Sequence, residues 1–153
     1  IVEMVLSDVE LPDDVSDWKS AVRHIAKSGR ERALAHPNVV ALVATRPFNT
    51  IASLRPVEKG FEIFRSAGFP PDLSLHAFRT LAAFVTGYTL AESGSFFGED
   101  LGEGHLAPGD LPAGEFPNLL EIAPSLMQAA HEREYEFGIE VILAGLEAKL
   151  AQI

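Results

Sequence analysis

There is no cysteine anywhere in the 153 residues, which excludes disulfides, thiolate metal sites and thiol catalysis together. A reducing, cytoplasmic location is the expectation that fits. No apolar run approaches the roughly 18 uninterrupted residues of a membrane span. No basic segment followed by an apolar one opens the chain as a signal peptide would, so no membrane partner is expected. Basic residues are scarce: 12 Lys and Arg stand against 22 Asp and Glu, a formal net charge of -10. Nucleic-acid phosphates need neutralising by Lys and Arg, so this segment is not expected to bind DNA by itself.

Catalytic patterns are missing as well. The histidines are His24, His36, His76, His105 and His131, with no two spaced four apart and no His-Glu-x-x-His, so no metal site is expected. His24 and His76 fall within apolar helices and read as hydrogen-bonded core histidines; His36 and His105 read as solvated. No Gly-x-Ser-x-Gly occurs, and Ser93-Gly94-Ser95 reads as a helix end. Gly102-Glu-Gly-His-Leu-Ala107 formally fits Gly-x-Gly-x-x-Ala. It lacks a preceding strand, sits among acids and runs into Pro108-Gly109, so it fails the context that a dinucleotide site requires. No catalytic residue and no cofactor is expected.

What is present is helix. The alternating Val/Ile/Thr runs and Asn-Gly turns of hairpins are absent. A short helix over residues 1–9 stops at Leu11-Pro12, and Asp13 and Asp14 offer N-caps for a long one reaching about Ala35. His36-Pro37 breaks it. A short apolar helix, Val39 to Thr45, follows and ends at Arg46-Pro47. A helix from about Ile51 closes at Gly68 as C-cap, and Pro70-Pro71-Asp72 starts another from Leu73 to Glu92. From Gly98 to Pro117 the chain is acidic and rich in Gly and Pro, with no Lys or Arg, and is expected to be a mobile loop. A short helix follows from Pro117.

The last helix, Tyr135 to Leu150, has two apolar faces. At about 100° per residue, Ile139, Ile142, Leu143, Leu146, Leu150 and Ile153 form one stripe. Phe137, Gly138, Val141, Ala144, Gly145 and Ala148 fall roughly opposite, and most are small. One stripe suits the chain's own core. The other admits close backbone approach, and a second copy of the chain is the natural partner; the alternative is a central helix buried on all sides.

The middle helices have the composition of a pocket. Phe61, Phe64, Phe78, Phe84 and Tyr88 come from successive helices with small Gly29, Gly60, Ala82 and Ala83 among them, and His24, Thr45, Arg46 and Arg79 supply sparse polar groups. An ordinary aromatic core is the competing reading.

The order of features resembles the C-terminal ligand-binding and dimerisation domain of tetracycline-repressor (TetR) family transcription regulators. The matching residues are Leu11-Pro12 with Trp18 and Ala26-Lys27-Ser28, then Ala44-Thr45-Arg46-Pro47 and Gly68-Phe69. Phe84 and Gly87 follow, and Phe137-Gly138-Ile139-Glu140 runs through to Gly145-Leu146-Glu147. The resemblance implies an all-α ligand-binding domain over residues 11–153. In it the helix of residues 73–92 and the final helix pack against their mates as a dimeric four-helix bundle. It makes residues 1–10 the helix linking to an N-terminal helix-turn-helix that this sequence does not contain. The implied role is that of an effector sensor in a bacterial repressor, binding DNA only through that absent reader.

Tetracycline repressors hold their drug with a histidine, an asparagine and a glutamine, plus magnesium on the histidine. The corresponding positions here are Leu42, Ile25 and Gly60; a drug-contacting aromatic corresponds to Gly29, while Thr45 matches. Leucine cannot coordinate magnesium, so the expected effector is a different, largely apolar molecule anchored by a group such as Arg79 or His24. The implied mechanism is derepression: a ligand between the helices shifts the linking helix and misplaces readers that must span half-sites about 34 Å apart. A coupling of about 1–3 kcal/mol changes DNA affinity roughly 5–150-fold. The rivals are a structural dimerisation module with a filled core, and, more remotely, a helical-bundle enzyme with converging carboxylates or histidines.

Overall fold

The computed structural model describes residues 10–37, 42, 50–94, 108–112, 114–126 and 130–153. Among them it contains five α-helices and no strand: α1 (Trp18–Ala35), α2 (Ile51–Ser66), α3 (Pro71–Ser93), α4 (Pro117–Leu126) and α5 (His131–Leu150), with a 3-10 turn at Pro108–Asp110. The all-α expectation holds. The linking helix of residues 1–9, most of the helix expected from Val39 to Thr45, and most of the loop expected from Gly98 to Pro117 lie outside the described residues.

Helix ends follow local chemistry, and two of them differ from the sequence reading. The cap of α1 is Asp17, not Asp13 or Asp14. Its Oδ1 accepts the Lys19 and Ser20 amides at 3.1 and 3.2 Å, and its Oδ2 accepts the Ser20 hydroxyl at 2.7 Å. Asp14 is engaged one turn too early, accepting the Ser16 amide at 2.8 Å. Helix α5 begins at His131, four residues before Tyr135, with Glu132 and Glu134 in its first turn where the helix dipole favours negative charge. It ends at Leu150, so Ile153 lies past the helix, 79% exposed, and leaves the inner stripe.

Helix α2 opens on a reciprocal box in which Thr50 and Ser53 each accept the other's amide. At its far end Ala67 is the C-cap and Gly68 follows at φ +89°, a value that L side chains rarely adopt. The Gly68 amide donates to the Arg65 carbonyl at 3.1 Å and the Phe69 amide to Phe64 at 3.0 Å. The Phe64 and Phe69 rings then meet at 5.2 Å, completing a Schellman closure with its hydrophobic contact. Trp18 packs on both rings, so the start of α1 is fixed where α2 turns into α3.

Helix α3 is central, packing on α1, α2 and α5, and α1 packs on α2 and α5. The core comprises Ala21, Val22 and Ala26 of α1, Ile63 and Phe64 of α2, Ala77 and Leu81 of α3, and Tyr135, Ile139, Leu143 and Leu146 of α5, with Phe69. Each large side chain buried there contributes about 1.5–3 kcal/mol. His24 and His76 are exposed, which corrects their reading as core histidines. On α1 the buried residues are Ala21, Val22, Ala26 and Ser28, and on α3 Ser74, Ala77, Leu81 and Thr89, so both histidines fall off the inward stripes. Helix α4 is different: among the described residues it packs only on the 3-10 turn, and it leaves Leu119, Leu120 and Ile122 exposed.

Candidate functional site

Three helices each turn one stripe toward a common space. Val22, Ile25, Ala26 and Gly29 of α1 follow i, i+3, i+4, i+7, and so do Phe78, Leu81, Ala82 and Val85 of α3. Pro56, Val57, Gly60, Ile63 and Phe64 form the α2 wall, and Thr86 completes the lining. Between them lies a cavity of about 180 Å³. Small residues keep it open. At Gly29 the nearest atom to an added Cβ would be Val85 Cγ1, 3.9 Å away, so a longer side chain would occupy the void. At Gly60 an added Cβ would come within 2.9 Å of Phe78, so glycine is what lets α2 approach α3 there. Phe61 stacks behind Phe78, with centroids 5.0 Å apart, and holds that ring in place. Pro56 has no amide to donate to the Ala52 carbonyl, so the α2 ladder misses one rung on the cavity wall.

Of the residues singled out in the sequence, Ile25, Gly29, Gly60, Phe64, Phe78 and Ala82 are brought together on this lining. Phe61 stands behind it. His24, Leu42, Arg79 and Ala83 are exposed and off the lining, and Thr45 and Arg46 lie outside the described residues. Tyr88, two residues past Thr86, joins a separate cluster beside the cavity. Val22, Ala26, Pro56, Val57, Ile63, Leu81, Val85 and Thr86 were not singled out. The i, i+3, i+4, i+7 stripe shared by α1 and α3 carries the lining positions of those two helices in the sequence, whereas composition alone does not.

The neighbouring cluster is polar and closed. Arg30 donates to Glu92 through Nε at 2.9 Å and Nη2 at 2.6 Å, and their side chains keep only 13% and 11% of their surface. The hydrogen bond to Glu92 raises the Arg30 pKa above its ordinary value against the opposing effect of burial. The Arg30 guanidinium lies 5.2 Å from the Tyr135 ring centroid, a cation–π contact. Tyr135 donates its hydroxyl to the Ala26 carbonyl at 2.8 Å and so supports the cavity wall from behind. Burial lifts its phenol well above the ordinary range. Tyr88 donates to the His131 carbonyl at 3.2 Å, and burial, with Glu134 second, pushes its pKa up to about 12. Arg30 and Glu92 satisfy each other's charge, and among the described residues no charged side chain lines the cavity.

A magnesium-borne drug does not fit these residues. Ile25 and Gly60 on the lining and Leu42 off it carry no ligating atom, and no group of three His, Asp or Glu among the described residues is placed to hold a metal ion.

The outer face of α5 exposes Phe137 (70%) and Val141 (55%), together with Ala144, Gly145 and Ala148. Gly138 is different. An added Cβ would overlap the ring of Phe84 in the same chain, so this glycine serves the α3–α5 contact within the protomer.

Residues 11–150 match the family described as tetracyclin repressor-like, C-terminal domain. The chain belongs to this family. Similar solved structures agree with its TetR-type fold. ActR, a TetR family protein of Streptomyces coelicolor solved in complex with actinorhodin, is 28% identical with a TM-score of 0.81, covering 97% of this chain and 73% of that one. ActR without ligand gives 28% and 0.80 over the same shares. A possible TetR family transcriptional regulator from Streptomyces coelicolor A3(2) is 26% identical with a TM-score of 0.76, covering 96% of this chain and 72% of that one. No curated protein matched in sequence. Among the described residues of this TetR-type domain, no helix is long and apolar enough to cross a membrane.

Proposed function

We propose that this domain is the effector sensor and dimerisation unit of a transcriptional repressor. A largely apolar small molecule enters the α1–α2–α3 cavity, and its binding weakens the hold of a helix-turn-helix reader on DNA. The observation that carries this reading is the cavity itself: about 180 Å³ left open at the junction of three helices of the core. A structural module has no use for such a void, which forfeits dispersion contacts all along its lining. The complex of the similar ActR with actinorhodin supports the same direction.

The dimer is part of the proposal. The exposed α5 face of Phe137, Val141, Ala144, Gly145 and Ala148 has the small-sided profile that lets helices approach, and α3 carries exposed Ala83, Gly87 and Leu90 at i, i+4, i+7. Two such helices from each copy supply a four-helix seam. The ligand acts only through unequal affinity for the DNA-competent and DNA-released states. No enzymatic step is proposed.

Native mass spectrometry of the domain tests the first half: a dimer is expected, and a monomer at tens of micromolar overturns the pairing. A DNA-binding assay on the regulator carrying this domain tests the second half. A small molecule taken up by the domain should lower DNA affinity; binding unaltered by every such molecule overturns the sensor reading.

A further inference from the structure

Among the described residues, every one that lines the cavity is hydrocarbon in its side chain, or glycine, except Thr86. Among the described residues no Lys, Arg, Asp, Glu or His reaches the lining, and the nearby Arg30–Glu92 pair is closed on itself. An ionised ligand would therefore give up its hydration with no opposite charge to meet, a penalty of several kcal/mol. The Thr86 hydroxyl has no protein hydrogen-bond partner among the described residues, whereas Thr89, three residues on, donates to the Val85 carbonyl at 2.7 Å. Among the described residues, Thr86 is thus the one side chain of the lining able to give or take a hydrogen bond from a guest.

Size narrows the class further. A dry apolar cavity of about 150 Å³ holds a benzene molecule. At about 180 Å³, the space within these walls takes one ring or two fused rings, and the pocket opens to solvent on one side. Phe64 and Phe78 on the lining favour a planar guest that can offset-stack or meet a ring edge-on.

From these observations we infer the ligand class: an uncharged, planar molecule of one or two rings with a single hydroxyl or carbonyl group, which Thr86 hydrogen-bonds. The inference rests on the reading of the cavity as the sensor site, and it assigns Thr86 as the residue that selects the polar group.

Three probes of one ring skeleton test it on the purified domain by calorimetry: naphthalene, 1-naphthol and 1-naphthoate. The wild-type domain should bind 1-naphthol about 2–10-fold more tightly than naphthalene, the yield of one net hydrogen bond, and should bind 1-naphthoate more weakly than either. Thr86→Val keeps the shape and removes the hydroxyl; it should abolish the preference for 1-naphthol, read as the ratio of the two affinities within each protein, with naphthalene bound at least as tightly as before. Naphthoate binding as tight as naphthol binding overturns the uncharged class. An undiminished naphthol preference in Thr86→Val overturns the role of Thr86. Failure of all three probes to bind wild-type protein, with the fold intact by circular dichroism, overturns the ligand class, whereas the sensor reading beneath it falls only to the DNA-binding assay above.

Discussion

Arg30 and Glu92 form a two-pronged ion pair that ties α1 to α3 where both side chains are nearly buried. Such a pair contributes little beyond an apolar replacement, but breaking it leaves a charge without a partner. Glu92→Gln should destabilise the domain by about 3 kcal/mol, the lower end for buried pairs because a tenth of each side chain still meets water. Urea titration checks this. A loss near zero shows that Arg30 finds other solvation.

The chain has two tyrosines, Tyr88 and Tyr135, and both phenols are held above their ordinary value of 10. The unfolded chain then releases these protons at lower pH than the folded one. The stability they confer is complete below pH 10 and lost as pH rises through about 12, where Tyr88 ionises, and beyond. Phenolate absorbance should therefore stay flat past pH 10 and rise together with loss of helical circular dichroism. A separate phenolate step near pH 10 in folded protein contradicts the burial of both rings.

Gly138 and Gly145 lie two turns apart on α5, and the same substitution should act differently at each. Gly138→Ala drives a methyl group into Phe84, an overpacking cost of about 1–3 kcal/mol only partly offset by better helix propensity. At Gly145 nothing lies within 4 Å of an added Cβ, so Gly145→Ala should gain about 0.5–1 kcal/mol in the protomer. If α5 pairs with its copy through this face, the same methyl group weakens the dimer. Thermal melts and sedimentation equilibrium on both variants separate the effects; an unchanged dimer constant in Gly145→Ala argues that the seam lies elsewhere.

The Ser28 hydroxyl, buried on α1, accepts the Glu10 amide at 2.8 Å. Ser28→Ala removes the bond at a cost of about 1 kcal/mol. The expected result is faster amide exchange at residue 10, with exchange in α2 and α3 unchanged. Equal rates in both proteins mean that the contact does not hold residue 10.

Much of the fold was legible in the sequence because prolines and glycines mark its ends. Pro71 starts α3, Gly68 closes α2 and Pro117 starts α4. The start of α1 was not, since Asp13, Asp14 and Asp17 are all competent caps and only the register of Trp18 against Phe69 chooses among them. At the candidate site, glycines and phenylalanines gave away Gly29, Gly60, Phe64 and Phe78. The aliphatic lining stayed hidden, because Val22 or Leu81 reads the same in a filled core as beside a void. His24 and Arg79 drew notice as rare polar residues in apolar helices, yet which side of a helix faces inward is decided by its neighbours, and both face out.

Ser28 and Gly29 are consecutive on α1, one holding the Glu10 amide and the other lining the cavity. A helix is stiff over one residue, so no slack separates them. On the sensor reading proposed above, a guest that moves Gly29 also moves the Ser28 hydroxyl, the acceptor of the Glu10 amide. The Glu10 amide is then the first point outside α1 at which a change in the cavity wall is felt.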